Sequence, residues 1–194
     1  MAVRAVVFDV GETLIDETGM WERAADAAGV PRFTLMGVLG GLAARGEHHN
    51  RAWELLGVEH PASSWEPDDL YPDALPCLAT LRSRDLRVSA VGNTPVETEH
   101  LLREFVDVLG SSGRWGVAKP APEFFERIAV ETGLAPEEIA YVGDRVDNDV
   151  EPALAVDMVA VHIRRGPWAH LHEPPAEAIR IRSRAELPEA LAGV

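Results

Sequence analysis

Residues 3–13, VRAVVFDVGET, constrain this chain more than any other stretch. Val3, Ala5, Val6, Val7 and Phe8 form a nearly continuous apolar run, broken only by Arg4. A strand of that composition has no polar face to give to water, which predicts a place inside a parallel sheet covered on both sides. The run stops at Asp9, and Val10, Gly11 and Glu12 turn the chain before Thr13 and Leu14. In open α/β sheets, ligands bind beyond the carboxyl ends of the strands. Asp9 therefore stands where a carboxylate can attack a substrate or bind a metal ion. Taken alone, it reads equally as the polar end of a strand.

After Leu14 the strand pattern pauses. Residues 21–28 have helical propensity and meet Gly29 and Pro31. Residues 33–45 carry Phe33, Leu35, Met36, Leu39 and Leu42 at helical spacing, although Gly37, Gly40 and Gly41 weaken the middle. Residues 50–56 make a third short helix, and 61–69 form a loop rich in Pro, Ser and acids. Residues 16–70 are thus predicted to be a small helical cap, with Trp21, Trp53 and Trp65 in its core and His48 and His49 at a solvated helix entry.

From Tyr71 the alternation resumes. Helices are predicted over 72–84, 95–105 and 122–132, the last with Pro122 in its first turn and Gly133 at its stop. A further helix starts at Asn148 or Asp149 and runs to Val156, and Ser183 with Glu186 resembles a capping box for the last one. Strands are predicted over 86–91, 106–109, 139–142 and 158–163, with an edge strand over 179–181. Strands alternating with helices predict an α/β fold: a doubly wound, Rossmann-like, mostly parallel sheet built from 1–15 and 71–194, carrying the helical cap.

Composition narrows the partners. The formal net charge of -14 argues against nucleic acid and against anionic membrane surfaces. It leaves room for a phosphate ligand, because a few local cations reverse the field inside a pocket. A single cysteine, Cys77, excludes an intrachain disulfide and fits a reducing cytoplasm. It reads as a quiet, half-buried thiol. No apolar run approaches the ~20 residues that span a bilayer, and the N-terminal run leads straight into Asp9 without a signal-peptide layout, so a cytoplasmic protein is expected. Of the 18 Lys and Arg residues only Lys119 is lysine. An ammonium retained against such an arginine bias points to a need for a compact point charge.

Four strand-end loops now carry polar groups: Asp9, Asn93, Lys119 and Asp144 with Asp147 and Asp149. Carboxylates converging at strand ends make a hard-oxygen site for Mg²⁺, and a lysine with loop N–H groups holds an anion. Together these are what phosphoryl transfer through an aspartyl-phosphate requires. The chain resembles the haloacid dehalogenase-like hydrolase superfamily over nearly its whole length. FDVGETL is similar to that family's first motif, AVGNTP to its second, VAKP (117–120) to its third and VGDRVDND (142–149) to its fourth, with the cap between the first and second.

The resemblance implies a phosphohydrolase for a small phosphorylated substrate. In it Asp9 attacks phosphorus and ligates Mg²⁺, together with the main-chain carbonyl of Gly11 and the carboxylate of Asp144, while Asp149 orients that sphere. Lys119 neutralises the nucleophile and the phosphoryl oxygens, and Gly92, Asn93 and nearby loop N–H groups meet the transferred group. Two departures stand out. The family's phosphatases place a second Asp, the general acid–base, where this chain has Gly11, and its loss typically costs about 10²–10⁴-fold in rate. They place Ser or Thr where this chain has Gly92, for which Thr94 is a candidate substitute. Glu12 reads as a solvated turn residue, or as the acid if the turn swings it inward.

A haloacid dehalogenase is disfavoured, because the intact acidic cluster needs a cation. A phosphonate-cleaving relative needs a cap lysine that residues 16–70 lack. Two readings stay open: a Mg²⁺-dependent phosphohydrolase with impaired protonation, and a non-catalytic descendant that binds Mg²⁺ and a phospho-ligand or a protein partner. The substrate, the monomeric or homodimeric state and the roles of Arg51, Arg164, Arg165 and Trp168 are not legible at this level.

Overall fold

A computed structural model describes residues 2–194. Strand β1 (Ala5–Phe8) lies inside a six-stranded sheet. Val6 and Phe8 enter one hydrophobic layer and Ala5 and Val7 the other, all without exposed surface. That two-sided burial is why the strand reads as an unbroken apolar run. The sheet is completed by β2 (Arg87–Gly92), β3 (Val108–Ser111), β4 (Ile139–Gly143), β5 (Val159–Ile163) and β6 (Ile179–Ile181). Their order is β3-β2-β1-β4-β5-β6, and every pairing is parallel. The chain works outward from β1 to β3, then returns to lay β4 on the other side of β1. The strand order therefore reverses between β1 and β4, the switch point at which such sheets bind ligands.

Helices α1 (Thr18–Ala27), α2 (Arg32–Ala44) and α3 (Arg51–Leu56) leave the sheet between β1 and β2. They share a hydrophobic core of their own, with Trp21, Leu35, Leu39, Leu42 and Trp53 at its centre. Ile15 forms bridges with both Gly11 and Leu70, so the chain departs and returns at one place. Helix α4 (Ala74–Ser83) covers the Val6 and Phe8 face through Ala74, Cys77, Leu78 and Leu81. Single turns α5 (Glu99–Leu102) and α6 (Ser112–Trp115) flank β3, while α7 (Pro122–Thr132) and α8 (Glu151–Ala155) cover the opposite face. In α7 Pro122 occupies the first turn, and Gly133 ends the helix at φ +65°, donating its N–H to the Ala129 carbonyl. Phe124, Phe125 and Ile128 are buried on its inner face, each contributing about 1.5–3 kcal/mol of transfer free energy. Helix α9 (Gly166–Leu171) packs on α2, and α10 (Leu187–Ala190) leads into a last 3₁₀ turn, Leu191–Gly193. No single helix among the described residues is long and apolar enough to cross a membrane.

Several local expectations shift. Strand β3 starts two residues later than its apolar run, because its extent is set by pairing with β2 from Ser89 to Gly92. The helix expected over 95–105 shrinks to a 3₁₀ turn, Val96–Thr98, and the four residues of α5. Phe33, expected on the inner face of α2, is 91% exposed, since Leu35, Leu39 and Leu42 define the buried stripe. Cys77 is buried, which pushes its thiol up to about 11 and leaves it inert. Ser183 and Glu186 do form the capping box, ahead of α10.

Candidate active site

The turn after β1 is set by three N–H groups, of Thr13, Leu14 and Ile15, that converge on the Val10 carbonyl. Asp9 sits just before it, with its main-chain N–H donated to Val142 of β4 at 2.8 Å. The last residue of β1 is thereby fixed beside the end of β4, where Asp144 follows Gly143. Asp144 is itself held from behind: buried His162, on β5, has Nε2 3.0 Å from its carbonyl oxygen.

Asp149 reaches the same place by a different route. The chain after β4 makes one wide π-helical turn, Val146–Val150, before α8 begins. That turn folds the Asp149 carboxylate back over Gly143, so closely that a Cβ built on Gly143 would lie 2.4 Å from Asp149 Cγ. Asp149 Oδ2 accepts the Arg145 main-chain N–H at 3.0 Å, and Oδ1 accepts from Lys119 Nζ at 2.5 Å. Lys119 Nζ also donates to Asp9 Oδ1 at 2.5 Å, and its side chain is only 1% exposed. Oxygens of Asp9, Asp144 and Asp149 lie within 4.8 Å of one another. Three carboxylates thus share a buried space with one ammonium, which pairs with two of them.

The electrostatics follow from that arithmetic of charge. Burial alone would lower the Lys119 ammonium, but Asp149 and Asp9 outweigh it and hold it well above its ordinary value. Burial pushes Asp9 up to about 6, opposed by Lys119 and reinforced by Asp149. Asp144 is driven well above the usual carboxylate range by burial and then by Asp149 and Asp9. Its Oδ2 is buried without any hydrogen-bond partner. Such an orphaned oxygen facing two further acids is the chemistry of a cation site.

The second loop engages this cluster indirectly. Both polar atoms of the Asn93 amide are occupied by Lys119, with Nδ2 donating to its carbonyl at 2.9 Å and Oδ1 accepting its N–H at 2.8 Å. Asn93 therefore fixes the loop that carries the lysine. Gly92 packs directly on Asp9: a Cβ there would be 3.1 Å from both Asp9 Oδ1 and a Val10 methyl, and 3.2 Å from Thr94.

Glu12, left-handed at φ 50°, is neither a solvated turn residue nor a free acid. Its Oε2 accepts the Tyr71 hydroxyl at 2.7 Å and its Oε1 the Glu17 N–H at 3.1 Å. Glu17, at the start of α1, is a side chain that the sequence reading passed over. Its Oε2 accepts the Trp21 indole N–H at 3.2 Å. Its Oε1 lies 2.3 Å from where a Cβ on Gly11 would be. Burial, then Glu12 and Asp9, push its carboxyl up to about 8. Only an acid at the head of α1, a few residues past the motif, hinted at it in the sequence.

An aromatic group joins α1 to α9. His48 is exposed, as expected, but His49 is not solvated: its ring stands between Trp21 at 5.4 Å and Trp168 at 6.2 Å. Burial lowers it to about 4. Arg145 lies over the Trp168 ring at 5.1 Å. Arg165 turns away, to Asp73 and the Tyr71 ring, while Arg164 lines a separate polar depression with His162 and Arg180.

Comparison with known proteins agrees with this geometry. The chain is 39% identical over 104 residues to a glyceraldehyde 3-phosphate phosphatase of Methanopyrus kandleri, a match covering 50% of this chain and 45% of that one. A glyceraldehyde 3-phosphate phosphatase of Methanocaldococcus jannaschii is 33% identical over 123 residues, covering 60% and 54%. The chain thus spans about half the length of the curated relatives it matches. The crystal structure of a HAD phosphatase from Thermococcus onnurineus superposes with a TM-score of 0.67 at 23% identity, over 98% of this chain and 99% of that one. Residues 3–157 match the family model described as haloacid dehalogenase-like hydrolase. With the sheet order, the carboxylates at the ends of β1 and β4 and the family match in agreement, the chain belongs to the haloacid dehalogenase-like hydrolases.

Proposed function

We propose that this chain is a Mg²⁺-dependent phosphohydrolase that acts on a small phosphorylated substrate through an aspartyl-phosphate at Asp9. The observation that carries this reading is the buried cluster itself, in which Lys119 Nζ meets Asp9 and Asp149 at 2.5 Å while Asp144 keeps an unpartnered oxygen. Burying three carboxylates against one ammonium is costly, and a hard divalent cation is the group that offsets the excess. The donors fit Mg²⁺: the carboxylates of Asp9 and Asp144 and the main-chain carbonyl of Gly11 would hold it, with Asp149, committed to Lys119 and the Arg145 N–H, orienting them from behind. When bound, the ion neutralises charge on the phosphoryl oxygens.

The chain's own residues carry the steps. A carboxylate oxygen of Asp9 bonds to phosphorus as the ester P–O bond breaks and the leaving oxygen takes its electron pair. Water then bonds to the same phosphorus, the P–O bond to Asp9 breaks, and inorganic phosphate leaves. Lys119 keeps Asp9 ionised and meets the phosphoryl oxygens. The Asn93 side chain holds Lys119 in place, and the Asn93 main-chain N–H orients the transferred group. Helices α1–α3 act as the cap, with the His172 imidazole Nε2 2.7 Å from the Ala43 carbonyl across the seam. A phosphorylated three-carbon compound, of the kind named for the archaeal relatives, is the first substrate class to test. The net charge of -14 and the one buried thiol support a cytoplasmic enzyme, monomer or homodimer, that works apart from nucleic acid and membranes.

Gly11 and Gly92 favour a second reading, a non-catalytic protein that binds Mg²⁺ and a phosphorylated ligand. 4-Nitrophenyl phosphate separates the two, because its leaving group departs without a proton. Turnover is expected with Mg²⁺ and not with a chelator, and it should fall by about 10³-fold or more in Asp9→Asn. Undiminished turnover by Asp9→Asn ends the nucleophile assignment, and no turnover by the unsubstituted chain selects the binding protein.

A further inference from the structure

Gly11 removes the side chain that the phosphatases of this family use as their proton donor, yet the space it vacates is not empty. A Cβ built on Gly11 would lie 2.3 Å from Glu17 Oε1 and 3.0 Å from Glu17 Cδ. An aspartate's own carboxylate oxygen stands about 2.4 Å from its Cβ, given bonds of about 1.5 and 1.2 Å meeting near 120°. Glu17 thus brings a carboxylate oxygen to the distance at which an aspartate at position 11 would carry one. Resting on the phosphohydrolase reading above, we infer that Glu17, supplied by the head of α1, is the acid–base residue of this enzyme.

The surroundings of Glu17 suit that role and exclude its neighbours from it. Its main-chain N–H is tied to Glu12 at 3.1 Å and its Oε2 to the Trp21 indole at 3.2 Å. These contacts hold the carboxyl in one orientation while Oε1, on the Gly11 side, accepts no hydrogen bond from the described residues. Asp9 and Asp144 are taken by phosphorus and the metal in the phosphohydrolase reading, and Glu12 and Asp149 are committed. Both oxygens of Glu12 are occupied by Tyr71 and the Glu17 N–H, and both oxygens of Asp149 by Lys119 and the Arg145 N–H. The glycine at position 11 leaves the room that the Glu17 carboxylate occupies, and a side chain there would have to displace it.

The proton balance closes on Glu17. As Asp9 attacks phosphorus, the leaving oxygen takes the bonding pair and the proton of the Glu17 carboxyl. Water then gives a proton to the Glu17 carboxylate while its oxygen bonds to phosphorus. The P–O bond to Asp9 breaks with its electron pair returning to Asp9, phosphate leaves, and Glu17 is ready for the next cycle. The acid–base group therefore travels with the cap and not with the β1 turn.

Leaving-group dependence tests this. kcat/KM is measured with Mg²⁺ on glycerol phosphate, whose alkoxide needs a proton, and on 4-nitrophenyl phosphate, whose phenolate does not. Glu17→Gln should lose about 10²–10⁴-fold on glycerol phosphate, with a loss at least about tenfold smaller on the aryl ester. Gly11→Asp combined with Glu17→Ala should regain most of the alkyl activity that Glu17→Ala alone loses. Equal losses on both esters, no loss on glycerol phosphate, or an unsubstituted chain that turns over only the aryl ester would each overturn the assignment of Glu17. Failure of the nucleophile reading looks different: Asp9→Asn would then retain aryl phosphate turnover whatever stands at position 17.

Discussion

Lys119 is the residue on which the site's charge depends. Its ammonium fits between two carboxylates, 2.5 Å from each, with a side chain almost wholly out of solvent. An arginine keeps the charge but replaces a point with a planar fork that needs more room and different angles. Lys119→Arg is therefore expected to fold and yet to lose about 10²-fold or more in aryl phosphate turnover, the scale set by loss of a positioned electrostatic group. Turnover close to that of the unsubstituted chain, at intact circular dichroism, would mean that the lysine is only a structural counter-ion. Gly143 makes a sharper steric case. Any Cβ there meets Asp149 Cβ and Cγ at 2.4 Å, within a turn whose backbone is fixed by β4. Gly143→Ala should destabilise the fold by about 1–3 kcal/mol, read as a lower urea midpoint with unchanged slope.

Between elements, the site is held by ties that carry no motif. Asp73, at the head of α4, receives Arg165 from the approach to α9 at 2.5 Å and pairs with Arg184, a side chain with no exposed surface. Arg165 and Arg184 both stack near the Tyr71 ring, and Tyr71 in turn bonds Glu12 of the β1 turn. This chain of contacts joins α4, α9 and the start of α10 to the loop that bears Gly11. Asp73→Asn leaves a buried guanidinium unpaired and should cost about 3 kcal/mol. The pH dependence has a definite sign. Although burial opposes it, bonding to Arg165 and Arg184 depresses Asp73 from 3.8 to about 2 in the folded state. Its contribution is complete above about pH 4 and is lost as pH falls toward 2. The gap in unfolding temperature between the unsubstituted chain and Asp73→Asn should be constant at neutral pH and close in acid; a gap independent of pH down to 2 would show that the ion pair is not its source. The same elements mark what a sequence reader can and cannot see. Asp9 and Asp144 were legible because strand ends announce themselves through hydrophobic runs that stop abruptly, and Lys119 because it is the one lysine among 18 Lys and Arg residues. Asp149 was legible because Gly143 and the acidic turn lie in one short stretch. Glu17 and His49 were not, because their surroundings come from other elements: an absent side chain at position 11 for one, Trp168 of α9 for the other. Phe33 misled for a related reason, as apolar spacing alone does not say which face of α2 the remaining cap helices cover.

At the scale of the whole molecule, the proposed metal site links stability to the buried acids. The chain carries a formal net charge of -14, and it brings the acids Asp9, Asp144 and Asp149 together at the switch point between β1 and β4. Burial first, and then repulsion from Asp149 and Asp9, hold Asp144 well above the usual carboxylate range, so its charged form is costly there. Removing that charge should stabilise the metal-free protein, so in a chelator Asp144→Asn should melt above the unsubstituted chain. Adding Mg²⁺ should reverse the order. A ligand that binds only the folded state stabilises by about 2.7 kcal/mol at a hundred times its Kd, and at about 2–4 °C per kcal/mol for a domain of this size that is a rise of about 5–10 °C. Asp144→Asn, lacking the oxygen that now has no partner, should respond only through screening of its surface charge, to the same extent as with sodium chloride of equal ionic strength. Differential scanning fluorimetry of both chains, with chelator, Mg²⁺ and matched sodium chloride, reads all of these shifts. If Mg²⁺ raised both melting temperatures equally, the ion would be acting on the acidic surface at large, and the trio would be a folding liability without a metal function.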